Sequence, residues 1–366
     1  MKVKYLAGAM VIFGSTGAVA QSSVTLYGLT DISVQYLTHV NRAGDSVIRA
    51  GTGGLSESRF GMYGSEDLGG GNAAIFHLEN RFNLNNGQSD PALPFWNTAF
   101  VGLRSASLGS LTMGRQTNVL IDTVTRTYAS NPWVPYDFAF QPEITMLGGI
   151  WSSNMAKYAI KLGDVIGEAS YAFGGVAGNT SYGSQLAVGV AYVPAAPVRL
   201  GAGYMDSRDT ANGAHSKSWT AGASYTWQST QFHVGYFEDR LDAGFQQYLN
   251  GPFTAAALTA LKFTDFSSRR MFSAGVVHSF SWPLRLSFNY WRTLQTGKTA
   301  RLDGNASQFE LVADYNLSKR TDVYLEGNYA LYRGDLIGAQ IQGVNGVGTS
   351  AKGTQLGLMA GLRHQF

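Results

Sequence analysis

Segments of about ten residues that alternate apolar with small or polar side chains recur along nearly all of this 366-residue chain. A strand with two unlike faces is the element with that period. In 216–228 the apolar set is Trp219, Ala221, Ala223, Tyr225 and Trp227, interleaved with Thr220, Gly222, Ser224 and Thr226. Phe309, Leu311, Ala313, Tyr315 and Leu317 alternate in the same way with Gln308, Glu310, Val312, Asp314 and Asn316. Val323, Leu325, Gly327, Tyr329 and Leu331 follow suit, and Leu356, Leu358, Ala360, Leu362, His364 and Phe366 share one face of the last segment. No long helical pattern interrupts the series, so the expected fold is all-β.

The connections alternate too. Tight ones (67–72, 108–110, 194–197, 229–230, 282–283 and 318–321) take turns with long polar ones (41–57, 117–153, 242–268 and 333–353). Short turns at one end and long loops at the other describe an up-and-down transmembrane barrel. Sixteen antiparallel strands are expected, at 24–38, 58–67, 72–84, 96–107, 110–117, 154–163, 166–174 and 184–194, then 197–208, 216–228, 230–241, 269–282, 283–296, 305–318, 321–333 and 354–366. An even number places both termini with the short turns, on the periplasmic side.

A soluble sandwich also alternates, and composition separates the two. Charged residues are only 14% of the chain, roughly half the usual share, while Gly supplies 45 residues and aromatics 13%. Tyr36, Phe82, Trp219, Trp227, Tyr290, Tyr315 and Phe366 sit near strand ends on the apolar face, where interfacial girdles belong. Beyond the first twenty residues no stretch approaches the ~20 apolar residues of a membrane helix, and the mean hydropathy of −0.07 averages two opposed faces. A sheet in hydrocarbon must close, and sixteen strands enclose a lumen too wide for side chains to fill, so it holds water. The absence of Cys removes disulfides, thiolate metal sites and cysteine nucleophiles. A net charge of +3 is too small for a nucleic-acid binder.

Residues 1–20 read as a signal peptide. Lys2 and Lys4 precede the short apolar core Leu6 to Phe13, and Ala18-Val19-Ala20 supplies the small-x-small pattern, so cleavage between Ala20 and Gln21 is expected. The barrel then occupies 21–366.

The connection 117–153 stands apart. It combines Asp122, Arg126, Asp137 and Glu143 with Tyr128, Trp133, Tyr136, Phe138 and Phe140, and a loop this long and apolar asks for a function. Folded into the lumen, it would bury its aromatics on the wall and hold Asp122, Asp137 and Glu143 at the narrowest point. Arg59, Arg81 and Arg104 fall on the non-lipid parity of strands two, three and four, as do Arg285 and Arg363 in theirs. Arg59, Arg81 and Arg104 form the expected basic side. Acid facing base would set up a transverse field that sorts solutes by charge; the alternative is mutual pairing along the wall, such as Glu79 with Arg81. Arg115 shares the parity of Leu111 and Met113, which points to a bulge or a subunit interface rather than to the pore.

The segments SSVTLYGLTDISVQY, SRFGMYGSEDLGGGNAAIFHLENRF, AFVGLRSASLGSLTMGRQ, YNLSKRTDVYLEGNYA and the terminal GLRHQF together resemble a Gram-negative general porin of the betaproteobacterial type, over essentially the whole mature chain. The resemblance implies a homotrimer in outer-membrane lipid and lipopolysaccharide, each pore narrowed by its third long loop. It also implies passive diffusion of ions and small hydrophilic solutes without a cofactor, commonly with anion preference. Phe366 resembles the family's signal for the outer-membrane assembly machinery. Two departures matter. Asn97 and Thr98 precede Ala99 where members often carry a basic residue. Trp151 and Ser152 stand where many carry Arg, although Lys157 is retained. Part of the basic cluster is therefore missing, and Trp151 is a candidate to narrow the pore or stack solutes.

Three functions compete at this stage. The first is a general diffusion pore. The second is a substrate-specific channel in which Trp133, Trp151 and nearby Tyr residues guide sugars or organic acids. The third is an outer-membrane enzyme, which needs a nucleophile, a base and an orienting group in reach of one another. His39, His77, His215, His233, His278 and His364 are scattered and belong to no GxSxG or HExxH motif. Asp31, Glu66 and Asp67 do not have calcium-loop spacing. The expectation is a channel with no catalytic residues and no metal.

Overall fold

The computed structural model describes residues 23–89, 94–128, 150–195, 197–246, 266–339 and 350–366. The signal-peptide cleavage expected at Ala20 and Gln21, and Trp133, Asp137 and Glu143, lie outside them. The first strands are β1 (Ser23–Leu37), β2 (Val47–Thr52), β3 (Arg59–Gly69), β4 (Asn72–Asn83), β5 (Gln88–Ser89), β6 (Thr98–Ser105) and β7 (Gly109–Thr117). After the helix α1 (Val119–Thr127) come β8 (Trp151–Leu162), β9 (Val165–Ala172), β10 (Gln185–Tyr192), β11 (Val198–Arg208) and β12 (His215–Trp227). The remainder are β13 (Thr230–Leu241), β14 (Phe266–Ser279), β15 (Leu284–Gly297), β16 (Gly304–Asn316), β17 (Thr321–Gly334) and β18 (Thr354–Gln365).

Each strand pairs antiparallel with its neighbours, and β18 returns to pair with β1 from Leu29↔Gln365 to Leu37↔Gly357. The seam is finished by Phe366, whose backbone exchanges two hydrogen bonds of 3.0 Å with Gly28. Its ring lies over Gly28, where a Cβ would collide with it. The two short extra strands do not add staves. Among the described residues β5 pairs only with the end of β4, and β2 shares one stave with β3, above and below on the same side of β1. The barrel is therefore closed, antiparallel and sixteen-stranded, as expected.

Alternation fixes the two faces. On β1, Val24, Leu26 and Val34 are more than 60% exposed on the outside, whereas Asp31, Ser33 and Gln35 are buried within. Val101, Leu103, Leu111, Met113, Leu186, Leu325 and Leu358 continue the outer apolar band, which suits lipid.

Two details depart from the sequence expectation. Residues 41–57 were expected to be loop throughout, yet 47–52 form β2 and lengthen the wall. The register passes from Ile32↔Thr52 to Leu29↔Arg59, so the β2–β3 stave carries four more residues than β1 there. The intervening residues, 53–58, turn inward. Asp31 accepts hydrogen bonds from Leu55 N at 3.1 Å, Ser56 N at 2.8 Å and the Tyr324 hydroxyl at 2.6 Å. Arg363, bonded to Asp322, also reaches Ser56 Oγ at 3.0 Å. Leu55 packs on Val312 and Tyr324. All of these partners belong to the inner faces of β1, β16, β17 and β18.

The second departure is α1, hidden because VLIDTVTRT is rich in β-branched residues that disfavour helix. Local and tertiary terms override that preference. Asn118 caps the helix by accepting from Ile121 N, with Asp122 in the first turn and Arg126 in the last, both favourable to the helix dipole. Val119, Leu120, Ile121 and Val124 are buried. They lie on the inner wall of β10–β12, where glycines let the backbones approach: a Cβ on Gly189 would meet Val119 and Thr123, and one on Gly222 would sit 2.5 Å from the Tyr128 ring. Gly222 pairs with both Gly201 and Gly235 in the register, so the trough crosses three strands. In the closed sheet β11 is eight staves from β1 in either direction. The helix and the 53–58 segment therefore enter the lumen from opposite walls.

Filling that trough should loosen the helix. Gly222→Val is expected to displace Tyr128, cost about 2 kcal/mol and make the 117–153 connection a faster target for protease in the folded barrel. Limited proteolysis with a urea midpoint would check it.

Candidate functional site

Charged side chains gather between the two inward elements. Arg59 on β3 pairs directly with Arg81 on β4, and both face the lumen. Carboxylates offset the repulsion of the two guanidiniums: Glu79 lies 3.8 Å from Arg59 and 3.6 Å from Arg81, and Glu57, carried in on the inward segment, reaches Arg81 Nη1 at 2.7 Å. The Tyr27 hydroxyl donates to Glu79 at 2.8 Å. This cluster sums to zero charge.

The second cluster joins helix to wall. Lys157 on β8 pairs with Asp122 at 2.5 Å and donates to the Thr117 carbonyl at 2.9 Å. Arg126 pairs with Glu168 on β9 at 2.7 Å. Burial works against the Arg126 charge, but its hydrogen bond to Glu168 and the nearby Asp122 and Glu168 carboxylates outweigh that and hold its pKa above the ordinary guanidinium value. This cluster also sums to zero. The expected segregation, acid on the loop and base on the wall, is thus broken within the described part of the loop. Arg126 and Glu168 run the opposite way to Asp122 and Lys157.

Trp151 divides the clusters. Its Nε1 donates to Thr98 Oγ1 at 3.3 Å, and the guanidiniums of Arg81 and Arg115 lie 4.3 and 5.9 Å from its ring centroid, within cation–π range. The ring is only 3% exposed. It is therefore an arginine platform and not an open surface on which a solute could stack.

Arg115 is the functional candidate that parity concealed. The β7–β8 register slips between Gly114 and Gln116, and Gly114 takes a φ of +134° with its Cα hydrogen against the Ala99 carbonyl region. The extra residue lies on β8, where Met155 to Ser152 spans three positions against two on β7 and Asn154 takes a φ of +52°, and beside it Arg115 is buried, unlike the outward Leu111 and Met113. Its Nη1 donates to Ser153 Oγ at 2.7 Å, and its other nitrogens find no hydrogen-bond partner among the described residues. Of the two readings of its parity, the bulge is the one realised, and it brings the side chain inward. The Gly-Arg dipeptide in a strand was the available signal.

The remaining sequence candidates are placed as follows. Arg81, Lys157 and Asp122 line a cavity of about 390 Å³ together with Thr98, Arg126 and Glu168, while Arg59 stands beside it, 3.8 Å from the lining residue Glu79. Arg104 shares the inward parity but sits near the short-turn end of β6, exposed and bonded to Ser65 at 3.3 Å, apart from both clusters. Phe366 closes the seam. Fixed, mostly paired charges across a watery path order water and sort ions by sign, without requiring any bond to be made.

A family profile described as Gram-negative porin matches residues 7–335. The chain belongs to that family. The porin is 27% identical to outer membrane porin protein 32 of Delftia acidovorans, over 99% of both chains. Its fold matches the anion-selective porin from Comamonas acidovorans with a TM-score of 0.71 and 24% identity, covering 94% of this chain and all of the other. The trimer form of OmpT, an outer membrane protein of Vibrio cholerae, superposes with a TM-score of 0.66 at 15% identity, over 94% of this chain and 99% of that one. The porin is thus an outer-membrane channel for passive diffusion of ions and small hydrophilic solutes, not an enzyme.

Two substitutions probe the clusters. Glu57→Gln should release Arg81 and move the reversal potential in a KCl gradient toward that of chloride. Lys157→Met leaves Asp122 without its ammonium partner in a mostly buried site; the expected cost is about 3 kcal/mol, read from the denaturant midpoint, with a reversal potential displaced toward cations.

Proposed function

We propose that ions and solutes pass through an eyelet framed on one side by α1 and the rest of the 117–153 loop, and on the other by the 53–58 segment. The charged residues at this eyelet are Arg59, Arg81 and Lys157 from the wall and Asp122 from the loop, with Asp137 and Glu143 as further acidic members. The observation that carries this reading is the entry of two separately anchored segments from opposite walls, with charges clustered where they approach. Each cluster is internally neutral, so the sign of the preference falls to Arg115, whose guanidinium has no carboxylate within ion-pair distance among the described residues. The described residues alone therefore lean toward anions, and Asp137 and Glu143 act against that lean.

The working form is a homotrimer in outer-membrane lipid and lipopolysaccharide. The chain is exported by a signal peptide cut between Ala20 and Gln21 and recognised by the assembly machinery through Phe366. The trimeric OmpT fold neighbour supports the assembly, and the packing of Phe366 at the seam is compatible with a role in both assembly and closure.

Planar-bilayer recording tests the reading directly. The porin should close in three equal steps. Arg59→Glu and Arg115→Leu should each move the reversal potential toward cations. An unchanged potential in both variants would take these residues out of the selectivity zone, and single-step closure would remove the trimer.

A further inference from the structure

A second group of side chains lines the wall on the short-turn side of the charged zone. Tyr63, His77 and Phe100 are direct cross-strand partners on β3, β4 and β6, and alternation turns all three inward. Tyr27 on β1 joins them. The ring centroids are 5.8 Å apart for Tyr27 and Tyr63, 6.2 Å for Tyr63 and His77, and 5.7 Å for His77 and Phe100, the last two pairs edge-to-face at 83° and 84°. Aromatic rings favour this geometry, and it leaves ring faces available beside ring edges.

The members of the row are not equally open. Tyr27 lies against Gly61 and is held by its hydroxyl, 2.6 Å from His77 Nε2 and 2.8 Å from Glu79. Tyr63 is 49% exposed to the lumen. Neither lipid contact nor core packing accounts for a large ring presented to the water of the pore, in a wall otherwise rich in small and polar residues. Four residues along the same face of β3, about 13 Å away at Cα, stands Arg59, with Gly61 the one inward residue between them. The Arg59 side chain is 26% exposed and its nearest carboxylate is 3.8 Å away, beyond hydrogen-bond reach. Arg81, by contrast, is 5% exposed and held by Glu57 at 2.7 Å. Arg59 thus has donors to offer a passing anion, and an aromatic row begins one side chain further on.

We propose that Tyr63, His77 and Phe100, with Arg59 above them, form a subsite that retains aromatic carboxylates on the periplasmic side of the eyelet. The carboxylate meets Arg59 and the ring settles on Tyr63 against the edges of its neighbours. The subsite rests on solutes following the water-filled path described above, so it slows one class of solute without closing the pore to others.

The test compares benzoate with cyclohexanecarboxylate, which has the same charge and nearly the same bulk but no aromatic face, as blockers of chloride current through the purified porin in planar bilayers. Chloride conductance in the same membranes reports the open path independently of the subsite. Benzoate is expected to block at about fivefold lower concentration than cyclohexanecarboxylate. Tyr63→Ala should abolish that difference and Tyr63→Phe should keep it. Phe100→Leu, which preserves bulk, should reduce it too, so the outcome does not hang on one variant folding. Arg59→Gln should weaken both acids alike. Equal block by the two acids in the unaltered porin, or a preference that survives both Tyr63→Ala and Phe100→Leu, would overturn the proposal. An absence of chloride conductance would instead strike at the diffusion path itself.

Discussion

A backbone N–H or C=O left unpaired in hydrocarbon costs several kcal/mol, on the order of a whole domain's net stability after a few such losses. Everything else in this barrel follows from avoiding that cost. The sheet closes on itself through β1 and β18, and the last residue completes the seam with two hydrogen bonds to Gly28. Once the ladder is closed, side-chain parity is no longer free. Each inward residue faces water and each outward residue faces lipid, so the chemistry of the pore is confined to every second position.

Inside, the constraint changes character. Water can satisfy polar groups, so irregular backbone is tolerated there and nowhere else at that depth. Both departures from regular strand, the 53–58 excursion and α1, turn to this side. Each is fastened by a different device. The excursion is tied by buried ions and hydrogen bonds around Asp31, Tyr324 and Arg363. The helix is seated by apolar packing on a trough of glycines.

The same logic explains what the sequence disclosed and what it withheld. Sixteen strands, their turns and the inward placement of Arg59 and Arg81 were legible because period-two alternation is a backbone property that burial amplifies. Arg115 was not, since the irregularity beside it lies on β8, at Ser153 and Asn154, and no count of residues along β7 reveals it. The helix was masked because β-branched residues at 119–127 argue locally for strand, and only the glycines on β10–β12, distant in sequence, make a helix fit. Trp151 stands out in the sequence, but its exposure does not. Whether an aromatic ring is open to solute depends on its neighbours, and two arginines had claimed it. The aromatic row of Tyr63, His77 and Phe100 was present in the alternating pattern, but it became a surface only when three strands aligned.

The 53–58 excursion leaves the lipid face of its stave intact, with Ile48 and Ala50 above the break and Phe60 and Met62 below it. Its length is therefore invisible to the membrane, and only the inward anchors at Asp31, Tyr324 and Arg363 sense it. The calibre of the channel is in that sense an adjustable part mounted on a fixed wall, open to variation independently of the loop that faces it.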